Sequence, residues 1–403
     1  MSFSPYQRVL RSADVRRVLL LGLLLRIPIA SAAIVLTLHV VQSLGRSYSE
    51  AGLVAAGATL AIAVSGPWRG KLLDRMGLRR VVLPSLIVNA VCWAIAPFAG
   101  YWALLVLATT AGLFVVPTFS IIRQGVIAVV PDDDRRTALS LDGMSVEMAF
   151  MVGPVIAVWL ATAFDTRFVL FGLQMVGVLV GIALFIINPT LRPVEPDTDV
   201  AGQVVPRTAW FRAGFLGICG AAAASTIVLG GSDVAIVAAM RHFDAVGQMG
   251  IVLVPWAAGS LFGGMIYGAI SRPIQPFLLL LGLAAATAPM AFAGGTWSLA
   301  AISLISGLFC APTITATVDA VSRVVPSAAR GEAMGWHGSF MTAGARSAPH
   351  WPVRQSTAGV SVAASCWCRR SGYWSRSVGM APCTCTAIAL PCTHSRLSGS
   401  RPH

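Results

Sequence analysis

The sequence predicts an all-α polytopic membrane protein. Three observations carry that prediction: a composition too apolar for water, ten apolar stretches of span length, and cations gathered in alternate loops. Of 403 residues, 56% are hydrophobic and 11% charged, with a mean hydropathy of +0.77. A soluble domain carries roughly 25% charged residues, so this chain has too little polar surface to solvate a body of its size. The net charge of +13 does not indicate a nucleic-acid partner, because the arginines sit in short loops rather than on one basic face. Val18 to Val41 is too long for a signal-peptide core, so no cleavable leader is expected.

A helix needs about 20 apolar residues to cross the hydrocarbon core. By that rule the spans are 17–41, 50–69, 80–98, 102–130, 139–163, 167–187, 212–239, 247–270, 274–293 and 297–324. Helices are expected because backbone groups in lipid must be paired within their own segment. The alternating ten-residue strands of an outer-membrane barrel are missing from the pattern.

Loop charges orient the spans. One side holds Arg8, Arg11, Arg16, Arg17, Lys71, Arg75, Arg79, Arg80, Arg135, Arg136, Arg192, Arg207, Arg212, Arg272 and Arg330. The other holds only Arg46, Arg167 and Arg241. Positive charge is retained on the cytoplasmic side, which places the N-terminus there and the chain in the cell (inner) membrane. Residues 188–211, with Pro189, Pro193, Pro196, Pro206 and several acids, read as a polar cytoplasmic linker between a half at 1–187 and a half beginning at 212.

The loop after the second span reads Gly70-Lys71-Leu72-Leu73-Asp74-Arg75-Met76-Gly77-Leu78-Arg79-Arg80. Its glycines permit a tight turn and close helix approach, and Asp74 can cap a neighbouring helix or pair with Arg75 or Arg79. The pattern Gly-x-x-x-Asp-Arg-x-Gly-x-Arg-Arg resembles the loop between helices two and three of the major facilitator superfamily. The resemblance implies a transporter of two pseudo-symmetric six-helix halves. It also implies that Gly70, Asp74, Arg75, Gly77, Arg79 and Arg80 form a conformational latch against the eleventh helix.

An internal repeat supports two homologous halves. Gly112-Leu113-Phe114-Val115-Val116-Pro117-Thr118 is echoed by Gly307-Leu308-Phe309-Cys310-Ala311-Pro312-Thr313, and Val129-Val130-Pro131 by Val324-Val325-Pro326. Every pair is 195 residues apart. The fourth and tenth spans therefore occupy equivalent places, with cargo expected near the midplane between halves. The second half's counterpart of the latch loop, Gly264 through Arg272, has no acid.

The composition breaks near Gly344. From Ala345 to His403 there is no Asp, Glu or Phe, but there are seven Arg and five of the eight Cys. His350-Trp351-Pro352 is encoded CAY-TGG-CCN, and a shifted frame of that string reads Leu-Ala. Back-shifting with GC-favouring codons restores a Gly- and Pro-containing apolar stretch like the family's eleventh helix. The expectation is that 212–344 holds four helices and the start of the eleventh. Residues 345–403 are then an out-of-frame tail that has cost the chain its last two helices. A metal site at Cys366-x-Cys368 and Cys383-x-Cys385 is disfavoured, because zinc pairs have two to four intervening residues and these have one.

Ionisable groups inside spans are costly and usually functional. Arg26 lies about 14 Å into the first span at 1.5 Å per residue, near the midplane. Arg123 in the fourth span and Glu147 in the fifth lie at matching depths of about 11 Å, which predicts an ion pair between them. Asp142 is shallower, expected at the interface, and about 140° around the helix from Glu147, so the two are not a catalytic pair. Asp233, inside the far end of the seventh span, is a proton-carrier candidate. Ala149-x-x-x-Gly153-Pro154-Val155-Ile156-Ala157 resembles the fifth-helix motif of drug–proton antiporters, a close-packing device. That class also carries a fourth-helix arginine, where this chain has Ala108, so Arg26 or Arg123 would have to substitute.

The expected function is proton-coupled export of a small lipophilic or amphipathic compound by alternating access. The alternative is an inactive, truncated permease remnant. No His-Glu-x-x-His or Gly-x-Ser-x-Gly pattern points to an enzyme. No cofactor, metal or nucleic acid is expected; the partners are a small-molecule cargo, protons and the lipid bilayer, around a monomer.

Overall fold

The structure is a computed structural model that describes residues 4–191, 205–270 and 273–347. Arg192, Arg272, most of the expected linker and the tail beyond Ser347 lie outside the described residues. So do all five tail cysteines.

Fourteen helices are formed among the described residues: α1 Ser4–Arg11, α2 Ala13–Leu38, α3 Tyr48–Met76, α4 Leu78–Ile95, α5 Tyr101–Leu113, α6 Thr118–Val129, α7 Arg135–Ala163, α8 Thr166–Ile187, α9 Arg207–Trp210, α10 Ala213–His242, α11 Gly250–Ala269, α12 Pro276–Thr287, α13 Thr296–Val324 and α14 Arg330–Ser347. Nine segments among the described residues are long and apolar enough to cross a membrane, and Pro276–Phe292 is a shorter apolar helix. All ten expected spans correspond to helices, with the fourth divided between α5 and α6.

Helix ends run past the apolar stretches that announced them. The region expected as a loop from Gly70 onward is helical to Met76, and only Gly77 breaks it. Gly77 has φ 78° and ψ 173°, and its N–H donates to Leu73 O at 3.1 Å. A side chain at that φ is strained, so glycine is the residue that lets α4 start at once. At the other end of α3, Ser47 and Glu50 form a capping box.

The two copies of the repeat behave differently. Pro117 stands at a break between α5 and α6, whereas Pro312 sits inside the continuous α13. Proline removes one hydrogen bond in either place. At the break, Asn89 Nδ2 donates to the Phe114 carbonyl at 2.8 Å. In α13 the carbonyl that Pro312 leaves without its amide is that of Leu308, and beside it Thr313 Oγ1 donates to the Phe309 carbonyl at 2.6 Å.

Helices α2 to α8 pack largely on one another, as do α10 to α14, and the main contacts between the groups are α3 with α14 and α7 with α11. Small residues make the first contact possible. Gly66 and Gly70 of α3 face Gly335 and Gly331 of α14, and a Cβ at Gly70 would run into the Gly331 carbonyl. Two small-x-x-x-small stretches thus bring two backbones together, the packing that helices use where lipid offers no hydrophobic drive.

Candidate functional site

The buried polar centre lies where α2, α6 and α7 meet. Asp142 of α7 is 1% exposed and Arg26 of α2 is wholly buried. Arg26 Nη2 meets Asp142 Oδ1 at 2.7 Å, and its Nη1 donates to Ser145 Oγ at 2.6 Å. Arg123 of α6 reaches the other carboxylate oxygen, Oδ2, through Nε at 3.5 Å. Both guanidiniums lie over the Phe119 ring, with Cζ 5.1 Å from its centroid for Arg26 and 5.5 Å for Arg123. One carboxylate therefore serves two buried cations.

Two expectations are corrected here. Arg123 does not pair with Glu147; its partner is Asp142. Asp142 is not at an interface but buried among the arginines. The physical reason is the start of α7: it begins at Arg135, four residues before the apolar stretch, which places Asp142 two turns inside the helix. Glu147 falls on another face of α7, where it accepts from the Cys310 thiol of α13 at 3.6 Å. Among the described residues, no cation forms an ion pair with Glu147. Asp233 of α10 is exposed and forms no ion pair among the described residues.

The end of the bundle that carries Gly77 is closed by two junctions. At the first, Asp74 Oδ1 accepts from Gly331 N and Oδ2 from Glu332 N, both at 2.8 Å. The first amides of a helix have no partner within it, and the helix dipole favours an anion there. Asp74 thus takes the capping role open to it. The segment that meets Asp74 is the first turn of α14, in the stretch read from sequence as the start of the eleventh helix. Arg75, Arg79 and Arg80 are exposed, with Arg79 over the Phe185 ring.

At the second junction the polarity is reversed. The position 195 residues after Asp74 is Ala269, which has no carboxylate. Here backbone carbonyls in the last turns of α11 and just beyond it are the acceptors, and α7 supplies most of the donors. Thr137 Oγ1 donates to Gly268 O at 2.7 Å, Ser140 to Gly264 O, and Arg136 to Ile270 O. Tyr6, from α1, adds a bond from its hydroxyl to Met265 O at 2.6 Å.

The fifth-helix motif packs as its small residues suggest. Gly153 lies against α2, where Ser31 Oγ donates to its carbonyl at 2.8 Å, and the adjacent Pro154 sits within α7. Sequence reasoning missed Arg69, buried over the Trp68 and Phe114 rings, and Glu332, buried and paired with Arg207. It also missed His337, whose Nε2 lies 2.9 Å from Thr317 Oγ1. The signal for Arg69 was present, as an arginine on the apolar side of the glycine-rich loop.

Long apolar helices in two packed groups, joined at close-packed junctions, define a multi-pass, all-α membrane protein. The chain belongs to the Major Facilitator Superfamily, whose family profile matches residues 18–349. It is similar to the staphylopine export protein of Staphylococcus aureus, with 25% identity over 165 residues, 41% of this chain and 41% of that one. The match therefore spans about two-fifths of that relative's length. Among solved structures it resembles a bacterial homologue of the iron transporter ferroportin in an outward-facing state. That pair shares 15% identity and a TM-score of 0.67, over 84% of this chain and 91% of the other. The human organic anion transporter MFSD10 has a TM-score of 0.64 at 15% identity, over 87% and 93% of the respective chains. At these identities the likeness is one of fold.

Proposed function

We propose that the chain is a proton-coupled exporter of a small lipophilic or amphipathic compound, working as a monomer by alternating access. In this reading it sits in the cell (inner) membrane with its N-terminus in the cytoplasm. The closed end of the bundle is then cytoplasmic, and the described conformation faces outward. Similarity to an export protein supports the direction of transport.

Glu147 carries the coupling. It is a carboxylate in a span, without a cation partner among the described residues, and it touches Cys310 of the opposite half. Taking up a proton removes its charge at a contact that must break and re-form as the halves rock. Asp233 is the second carrier in this reading, at the other end of the path. Arg26, Arg123 and Asp142 form a separate ionic centre on another face of α7.

Transport in proteoliposomes with an imposed pH gradient tests this. The expected outcome is cargo movement against the proton flux, lost or uncoupled in Glu147→Gln and weakened in Asp233→Asn. If both variants transport with unchanged coupling, the coupling residues are wrong.

A second reading, an inactive remnant, is favoured by the composition break near Gly344. In this reading the 345–403 tail arose by frameshift. Resequencing the locus, and assaying a chain with the frame restored beside the present one, separates it from the first.

A further inference from the structure

The buried ionic centre is not neutral. Arg26 and Arg123 bring two positive charges and Asp142 one negative charge into a volume where all three are at most 6% exposed. A buried charge without a countercharge is costly, so natural structures pair it or reserve it for a charged ligand. Among the described residues, no second carboxylate forms an ion pair with either arginine. Glu147 is engaged on another face of α7, and Asp319 is paired with Arg323 on α13. The Phe119 ring lowers the cost of both guanidiniums but supplies no charge.

The two arginines are held unequally. Arg26 is fastened by two short bonds, to Asp142 and Ser145, and has no exposed surface. Its Nε is buried with no partner. Arg123 meets Asp142 at 3.5 Å through Nε, a longer contact than that of Arg26, and Asp142 is the one acid with which it forms an ion pair among the described residues. It also retains the 6% exposure that Arg26 lacks. A guanidinium fork fits a planar carboxylate with two parallel hydrogen bonds.

We propose that this cluster is an anion-binding centre that takes the carboxylate of the cargo on Arg123, while Asp142 stays on Arg26. Asp142 then balances one arginine permanently, and the cargo balances the other. This rests on the transporter reading and narrows its cargo to amphipathic molecules bearing a carboxylate.

The test is a binding measurement on the purified full chain in detergent, which does not depend on coupling. Acetate, benzoate and 1-naphthoate are compared with acetamide, benzamide and 1-naphthamide by thermal shift and by tryptophan fluorescence. At least one carboxylate is expected to bind about tenfold or more tighter than its amide, the equivalent of one charge-assisted hydrogen bond. Arg123→Gln removes that preference and Arg123→Lys weakens it, while substitution of an exposed arginine, Arg241→Gln, leaves it intact. Should Arg123→Gln misfold, Arg123→Lys still reports on the fork. The proposal is overturned if no carboxylate outbinds its amide, or if the preference survives in Arg123→Gln. Carboxylate preference with no proton-driven transport would instead sink the coupling reading and leave this centre standing.

Discussion

The carboxylate of Asp74 holds the amide of Gly331, 257 positions away, at 2.8 Å, and its second oxygen holds the next amide, Glu332, at the same distance. The bond is between a side chain at the end of one helix and the bare start of another. It exists only while α3 and α14 are packed together, so its strength is spent on one conformational state.

Asp74→Ala should weaken the closed state by about 1 kcal/mol, the usual cost of a lost N-cap. Asn also caps well, so Asp74→Asn should lose less. Hydrogen exchange at Gly331 and Glu332 checks both: faster exchange is expected in Asp74→Ala, and near wild-type protection in Asp74→Asn.

Gly70→Ala should prevent full closure. The atom its Cβ would meet is the backbone carbonyl of Gly331, which no rotamer change can move aside. Gly52→Ala, where a Cβ meets nothing within 4 Å, is the control. Cross-linking of cysteines placed on α3 and α14 should fall in the first variant and hold in the second.

Tyr6→Phe should loosen the second junction selectively. The loss is one hydrogen bond to the Met265 carbonyl, worth about 1 kcal/mol. Exchange should quicken around 264–268 and stay unchanged at Gly331. Equal effects at both junctions would mean that α1 acts globally and not as a brace on α11.

Asp142→Asn should be the most destabilising of these changes, by about 3–5 kcal/mol, because it leaves two buried guanidiniums without a countercharge. Arg123→Gln added to it should recover part of the loss, since it removes one of the stranded charges. Thermal unfolding of the single and double variants in detergent measures the coupling.

The latch shows how far local reading reaches. An acid in the last turn before a helix-ending glycine is legible as a cap for a neighbouring helix, and Asp74 is one. That α14 receives the cap was obscured by the composition break, which begins only after the receiving turn at Arg330 to Glu332. Depth along a span is also legible, and it drew attention to Arg26 and Arg123, which are buried. It cannot say which way a helix is rotated, and so it paired Arg123 with Glu147. Asp142 and Glu147 lie on different faces of α7, one against Arg26 and the other against Cys310. Asp142 was placed too shallow because helices begin before their apolar stretch does. The repeat, too, marks equivalent positions without marking equal geometry, as the break at Pro117 and the unbroken helix through Pro312 make plain.

By itself, the sequence determined the membrane helices, the break near Gly344 and the side on which positive charge collects. These depend on length, apolarity and charge within one segment, which a chain displays without folding. Only the tertiary structure decided which helix turns which face to its neighbour. It thereby decided that two arginines share Asp142, that Glu147 stands apart from them, and that the two junctions are sealed with opposite polarity. Apart from Arg123 and Asp142, which lie on consecutive helices, those pairings join residues 116 or more positions apart, and the packing of small residues between helices sets them.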